Sequence, residues 1–126
     1  MLRFILSYYR SIIIALIILI LTMIPGNNIS PVSVFPFPMI DKLAHFIVFF
    51  VLSLFLFADI RKNNPFSLKK TALLVFSVNF FYGLMIEILQ LFFILYRSAE
   101  FLDLVANTLG IIAGCMLQIK YRIIRY

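Results

Sequence analysis

Charged residues are what this chain has least of. Only 13% of its 126 residues are charged and 64% are hydrophobic, whereas a typical water-soluble domain carries about 25% charged residues. So few polar side chains cannot cover the surface of a particle this small in water. We therefore expect lipid, not water, to be the solvent for most of the protein.

Cysteine and histidine are also scarce. Cys115 is the one cysteine and His45 the one histidine, so an internal disulfide is excluded. No HExxH-like metal motif and no G-x-S-x-G nucleophile motif is present. Cys115 lies in an apolar stretch and is expected to be a small buried hydrophobe. The sequence predicts no cofactor, and a divalent metal held by His45, Glu87 and Asp103 is kept as an alternative.

Long apolar runs are what the chain does have. A membrane helix needs about 20 mostly apolar residues, and such stretches lie at about residues 4–24, 40–60, 70–95 and 99–119. No cleavage pattern follows the first stretch, so we expect an uncleaved helix there. The predicted fold is an all-α membrane protein with four transmembrane helices in one domain. Its long first outer loop contains four of the five prolines and is expected to be interfacial or re-entrant.

The basic residues set the expected orientation. All but Lys42 and Arg97 lie near the start of the first stretch, between the second and third, or after the fourth. Because basic residues concentrate on the cytoplasmic side, we expect both termini to be cytoplasmic. The same placement argues against nucleic-acid binding, since the basic residues do not form a stripe on one surface.

Three polar signatures interrupt the apolar runs near the expected outer face. They are Asp41-Lys42-x-x-His45, Glu87-x-x-Gln90, and Arg97 followed by Asp103-x-x-x-Asn107. Ionisable residues are rare in membrane helices and usually face a bundle interior or a watery cavity. We therefore expect one polar chamber open to the outside, in which Arg97 is the charge partner of Glu87.

Small residues continue these polar faces toward the other side of the membrane. Gly83 lies one turn before the glutamate of the third stretch, and Gly110-x-x-x-Gly114 continues the fourth. Such spacing lets two helix backbones approach closely. The simplest arrangement packs the third and fourth stretches together through these glycines and adds the histidine of the second.

Structural roles compete with functional ones for several of these side chains. Asp41 suits a helix N-cap, and Lys42 suits a snorkelling interfacial charge. Gln90 and Asn107 are typical interhelical hydrogen-bonding residues. Glu87 is the hardest to explain structurally, because ionising it at depth is costly unless it is paired.

Four blocks of the sequence, in their order and spacing, resemble the VanZ-like family of small bacterial integral membrane proteins. The blocks are Asp-Lys-x-x-His-Phe (41–46), Glu-x-x-Gln (87–90), Arg97 and Asp-x-x-x-Asn-Thr-x-Gly (103–110). The resemblance covers about residues 38–115 and implies a cell-envelope role in the bacterial cytoplasmic membrane. Some members are linked to low-level teicoplanin resistance. Family membership implies no defined reaction.

Three functions remain open from the sequence. The first is a non-catalytic protein that binds a lipid-linked or cell-wall component, with Lys42 and Arg97 holding an anionic head group. The residues expected to bind this ligand are Lys42, Gln90, Arg97, Asp103 and Asn107. Membrane lipids are the other expected partners, and both a monomer and a homo-oligomer fit the sequence.

The second function is a membrane-embedded hydrolase or transferase acting on a lipid phosphate or ester. His45, oriented by Asp41, would be the general base, and Glu87 an acid or second base. The third is a small transporter in which Glu87 and His45 relay protons. Four short helices would need to form a homo-oligomer for that role.

Overall fold

The described residues form four α-helices. A computed structural model describes residues 2–23, 39–93 and 101–124, and within these ranges it contains no strand. The helices are α1 (Leu2–Thr22), α2 (Met39–Asn63), α3 (Leu68–Phe93) and α4 (Phe101–Ile124). All four are long and apolar enough to cross a membrane, which confirms the predicted fold class. The long first loop and Arg97 lie outside the described residues.

Local sequence explains where the helices begin and end. In lipid a helix satisfies its own backbone hydrogen bonds, so apolar runs of this length become helical. α2 ends shortly before Pro65, which cannot continue a helix. Ser67 then caps α3 by accepting a hydrogen bond from the backbone N–H of Lys70 at 3.2 Å. The largest difference from the expected bounds is at α4, which continues beyond residue 119 to Ile124.

Interhelical hydrogen bonds define the directions of the helices. The start of α1 meets the end of α2, where Asn64 Nδ2 donates to the Tyr8 hydroxyl at 2.8 Å. The ends of α1 and α3 meet, where Gln90 Nε2 donates to the carbonyl of Thr22 at 3.0 Å. α1 and α3 therefore run in one direction and α2 in the other. α4 runs parallel to α2, since successive turns of these two helices meet in the same order, so both begin at the same end of the bundle.

The closest helix contact joins α2 and α4 through glycine. A Cβ added at Gly110 would overlap the backbone oxygen of Phe46, and one at Gly114 would lie 2.8 Å from the oxygen of Phe50. The expected close packing is present, but its assignment to α3 was wrong for these two glycines. The backbone of α2 occupies the space that their missing side chains leave.

Helix α3 meets the other two helices at Gly83. A Cβ there would lie 3.2 Å from Asn107 Nδ2 and 3.3 Å from the ring of Phe49. Phe49, Ile86 and Ile111 are fully buried around this level, and Cys115 is buried as expected. α2, α3 and α4 thus share one core. α1 contacts it from the side and exposes most of its apolar residues.

Replacing Gly110 with alanine should destabilise the fold more than the same change at Gly83. The new methyl at position 110 meets backbone that cannot move away, whereas at position 83 it meets side-chain atoms. We expect Gly110→Ala to lower the free energy of unfolding by about 1–3 kcal/mol and Gly83→Ala by less than about 1 kcal/mol. Unfolding by SDS titration in mixed micelles measures both. Equal losses would contradict the assigned contact.

Candidate functional site

The first turns of α2 and α4 bring five polar side chains together. On each helix two of them are one turn apart and so share a face. Since the helices start at the same end, these faces meet. We call this group the polar cluster; it consists of Asp41, Lys42, His45, Asp103 and Asn107.

An ion pair lies at the rim of the polar cluster. Lys42 Nζ donates to Asp103 Oδ1 at 3.0 Å. The Asp103 side chain is 4% exposed and that of Lys42 is 22% exposed. The carboxylate is therefore internal, while part of the lysine still reaches the surface. A strongly hydrated ammonium on a flexible stem suits this position.

His45 is buried between two side chains of α4. Its Nδ1 lies 3.0 Å from Asn107 Oδ1, and its Nε2 lies 3.8 Å from Asp103 Oδ2. The amide oxygen accepts hydrogen bonds, so a hydrogen on Nδ1 would complete this contact. The sequence predicted Asp41 as the orienting partner, but Asn107 makes this hydrogen bond to the ring.

Asp41 remains a member of the polar cluster. It is exposed, and one of its carboxylate oxygens lies within 4.8 Å of ligand atoms on both His45 and Asp103. Next to it is a cavity of about 150 Å³ between α1 and α2. Its walls are Ile18, Leu21, Thr22, Asp41, Ala44, His45 and Val48. Polar groups and apolar walls thus meet in one small cleft.

Two predicted site residues lie on the neighbouring helix α3. Gln90 is buried and its amide binds the carbonyl of Thr22, which is the interhelical role expected as the alternative. Glu87 is also buried, one turn from the contact between Gly83 and Asn107. Among the described residues, the three groups close enough to share a metal include Asp41 and not Glu87.

A further buried carboxylate, which was not predicted as a site residue, lies on α2. Asp59 near the end of α2 accepts a hydrogen bond from Ser11 Oγ at 2.7 Å, and both side chains are buried. Arg61 and Lys62 lie two and three residues further on, a sequence context typical of the charged membrane interface. Asp59 lies within a continuous helix, on the face that packs against the bundle. That position could have indicated burial.

Comparison with known proteins assigns the family. Four membrane-length helices with buried polar groups define a small multi-pass membrane protein. The model of the VanZ/LLP1 family matches residues 3–124, nearly the whole chain, so the chain belongs to this family. This confirms the resemblance seen in the polar signatures.

A eukaryotic relative also matches. An uncharacterized protein of Schizosaccharomyces pombe is 32% identical over 114 residues, which make up 89% of this chain and 65% of that protein. The chain thus spans just under two thirds of the length of this relative. No solved structure matches the chain.

Breaking the ion pair should cost stability unless both partners change. Lys42→Met leaves the Asp103 carboxylate buried without its cation, and we expect a loss of about 2–3 kcal/mol in the free energy of unfolding. The pair Lys42→Met/Asp103→Asn should recover most of that loss, which gives a coupling of about 1–3 kcal/mol. SDS titration of the four proteins in the cycle measures it.

The matched control for this cycle is Lys62→Met. Lys62 is an exposed lysine in the last turn of the same helix, so its loss should change stability by less than about 0.5 kcal/mol. Additive effects of the two cluster substitutions would show that the ion pair does not couple α2 to α4.

Proposed function

We propose that the protein binds a lipid-linked or cell-envelope component by its head group at the polar cluster. The observation that supports this is the meeting of buried polar side chains with a cleft whose remaining walls are mostly apolar. A lipid-linked molecule has the same two parts, a polar head and an apolar chain. The cleft beside α1 would receive the first segment of that chain.

The unfavourable free energy of burying the polar cluster supports a functional role. Moving a charged group out of water costs several kcal/mol even after relaxation, and a well-packed apolar pair is often equally stable. In a membrane helix, buried ionisable groups therefore usually serve a function. Asp103 and His45, each with a side chain only 4% exposed, fit this description.

Lys42 supplies the group that can reach a ligand. Its ammonium has three N–H donors, of which one contacts Asp103. Because the side chain is partly exposed, the ammonium can reach phosphate or carboxylate oxygens outside the bundle. Arg97, which lies outside the described residues, keeps its predicted role as a second cation for the head group.

The proposal includes an outer location for the site. The basic residues at the opposite end of the bundle favour cytoplasmic termini, so the polar cluster would face outward from a bacterial cytoplasmic membrane. Binding of a lipid-linked cell-wall precursor there would account for a contribution to teicoplanin resistance. Such a precursor is attached to a lipid chain, and the cleft would accommodate the first segment of that chain.

A membrane-embedded hydrolase or transferase is the second candidate. The arrangement of Asn107, His45 and Asp103 favours it, since an oriented imidazole near a carboxylate is a competent general base. Under this reading His45→Asn abolishes turnover of a phospholipid ester while lipid binding persists. Under the binding proposal the purified protein turns over none.

Anionic lipid binding should depend on Lys42. We expect Lys42→Met/Asp103→Asn, which removes both charges of the ion pair, to bind a polyprenyl phosphate at least about tenfold more weakly than wild type. Lys62→Met should bind normally. Native mass spectrometry with polyprenyl phosphate, and with phosphatidylcholine as the neutral-headed comparison, measures this. Undiminished binding by the double variant would overturn the proposal.

The orientation can be tested separately with single cysteines. In a Cys115→Ala background, Ile40→Cys places a thiol at an exposed position beside the polar cluster, and Lys62→Cys places one at the opposite end. We expect a membrane-impermeant maleimide to label position 40 in intact cells and position 62 only after permeabilisation. The reverse pattern would place the polar cluster on the cytoplasmic side.

A further inference from the structure

We propose that Asp41, His45 and Asp103 together bind a divalent transition-metal ion such as Zn²⁺ or Mn²⁺. Each of the three offers one ligand atom, and these atoms lie within 4.8 Å of one another. One imidazole nitrogen with two carboxylate oxygens suits such ions. The site itself stands on this geometry, and only its link to head-group binding rests on the proposed function.

The hydrogen bond from Asn107 prepares His45 as a ligand. With the hydrogen on Nδ1, facing Asn107 Oδ1 at 3.0 Å, the neutral ring carries a lone pair on Nε2. That lone pair faces Asp103 Oδ2 at 3.8 Å. Two acceptors do not stabilise each other, but a cation between them would satisfy both. A histidine ligand characteristically donates its other N–H to a nearby oxygen in this way.

The distances are close to those that a metal requires. Zinc–nitrogen and zinc–oxygen bonds of about 2.1 Å place two ligand atoms on one tetrahedral ion about 3.4 Å apart. The separation of 3.8 Å between His45 Nε2 and Asp103 Oδ2 therefore needs a shift of roughly half an ångström. Asp41 is exposed and can adjust. The adjoining cleft leaves the fourth position open to water or a ligand.

The other two members of the polar cluster, Lys42 and Asn107, hydrogen-bond the metal ligands and fix their orientation. Lys42 holds Asp103 Oδ1, which leaves Oδ2 directed toward His45. Asn107 holds Nδ1 of the ring. Supporting contacts of this kind fix ligand orientation and are a regular part of metal sites.

A metal would also correct the charge of the polar cluster for binding an anion. Lys42 contributes one positive charge against the two carboxylates of Asp41 and Asp103, so with a neutral imidazole negative charge is in excess. That excess weakens the attraction of Lys42 for a phosphate. A divalent cation makes the balance positive and offers the phosphate an open coordination position.

Nuclear magnetic resonance of the single histidine tests the site directly. The protein would be labelled with ¹⁵N-histidine, purified without a histidine tag, stripped with chelator and titrated with Zn²⁺ in micelles. Because His45 is the one histidine, every ring signal belongs to it. We expect a hydrogen on Nδ1 and a change at Nε2 that saturates at one equivalent of zinc. A hydrogen on Nε2, or ring signals unaffected by zinc, would overturn the proposal.

Matched carboxylate variants test the ligand set. Asp41→Asn changes an exposed residue, so the fold should persist, and we expect at least about tenfold weaker zinc binding by calorimetry. Asp59→Asn removes a carboxylate from the same helix outside the polar cluster and should leave zinc affinity unchanged. Equal weakening by both variants, or by neither, would overturn the site.

The lipid experiment separates the two proposals. Polyprenyl phosphate binding would be measured with the stripped protein and after one equivalent of Zn²⁺. We expect zinc to strengthen lipid binding at least about tenfold. Zinc binding at His45 without any lipid binding would support the metal site and overturn the proposed function. Lipid binding by a protein whose histidine signals do not change with zinc would support the proposed function and overturn the metal site.

Discussion

The close approach of α4 to α2 is the constraint on which the remaining structure depends. Gly110 and Gly114 allow the backbone of α4 to lie against carbonyl oxygens of Phe46 and Phe50, a distance that any side chain would prevent. Packing is the main force between helices in lipid, because apolar side chains gain little by leaving it. Fixing these two backbones sets the register of the helices, and the register decides which side chains meet one turn higher.

The polar cluster follows from that register. Once α2 and α4 run parallel in contact, Lys42 faces Asp103 and His45 faces Asn107. Charged groups held this way are close enough to compensate one another, yet their burial still opposes folding. The same pair of helices, α2 and α4, thus provides both the glycine contacts that stabilise the fold and the polar cluster. The family match over residues 3–124 covers both parts.

The sequence anticipated some site residues better than their partners. The i, i+4 spacing of Asp41 with His45 and of Asp103 with Asn107 identified the two helix faces that meet. It did not identify Asn107 as the hydrogen-bond partner of the ring. A spacing within one helix shows which residues share a face, but it contains no information about what lies opposite. Gln90 illustrates the same limit, since its partner is a carbonyl on α1.

Composition and the lengths of the apolar runs by themselves determined a four-helix membrane protein, because lipid admits only segments that satisfy their own backbone hydrogen bonds. The four polar blocks also determined the family. Only the tertiary structure decided that the glycines of α4 face α2, that Lys42 pairs with Asp103, and that Asp59 is buried against Ser11. These outcomes depend on which helices become neighbours. That choice is made by packing between segments distant in the sequence.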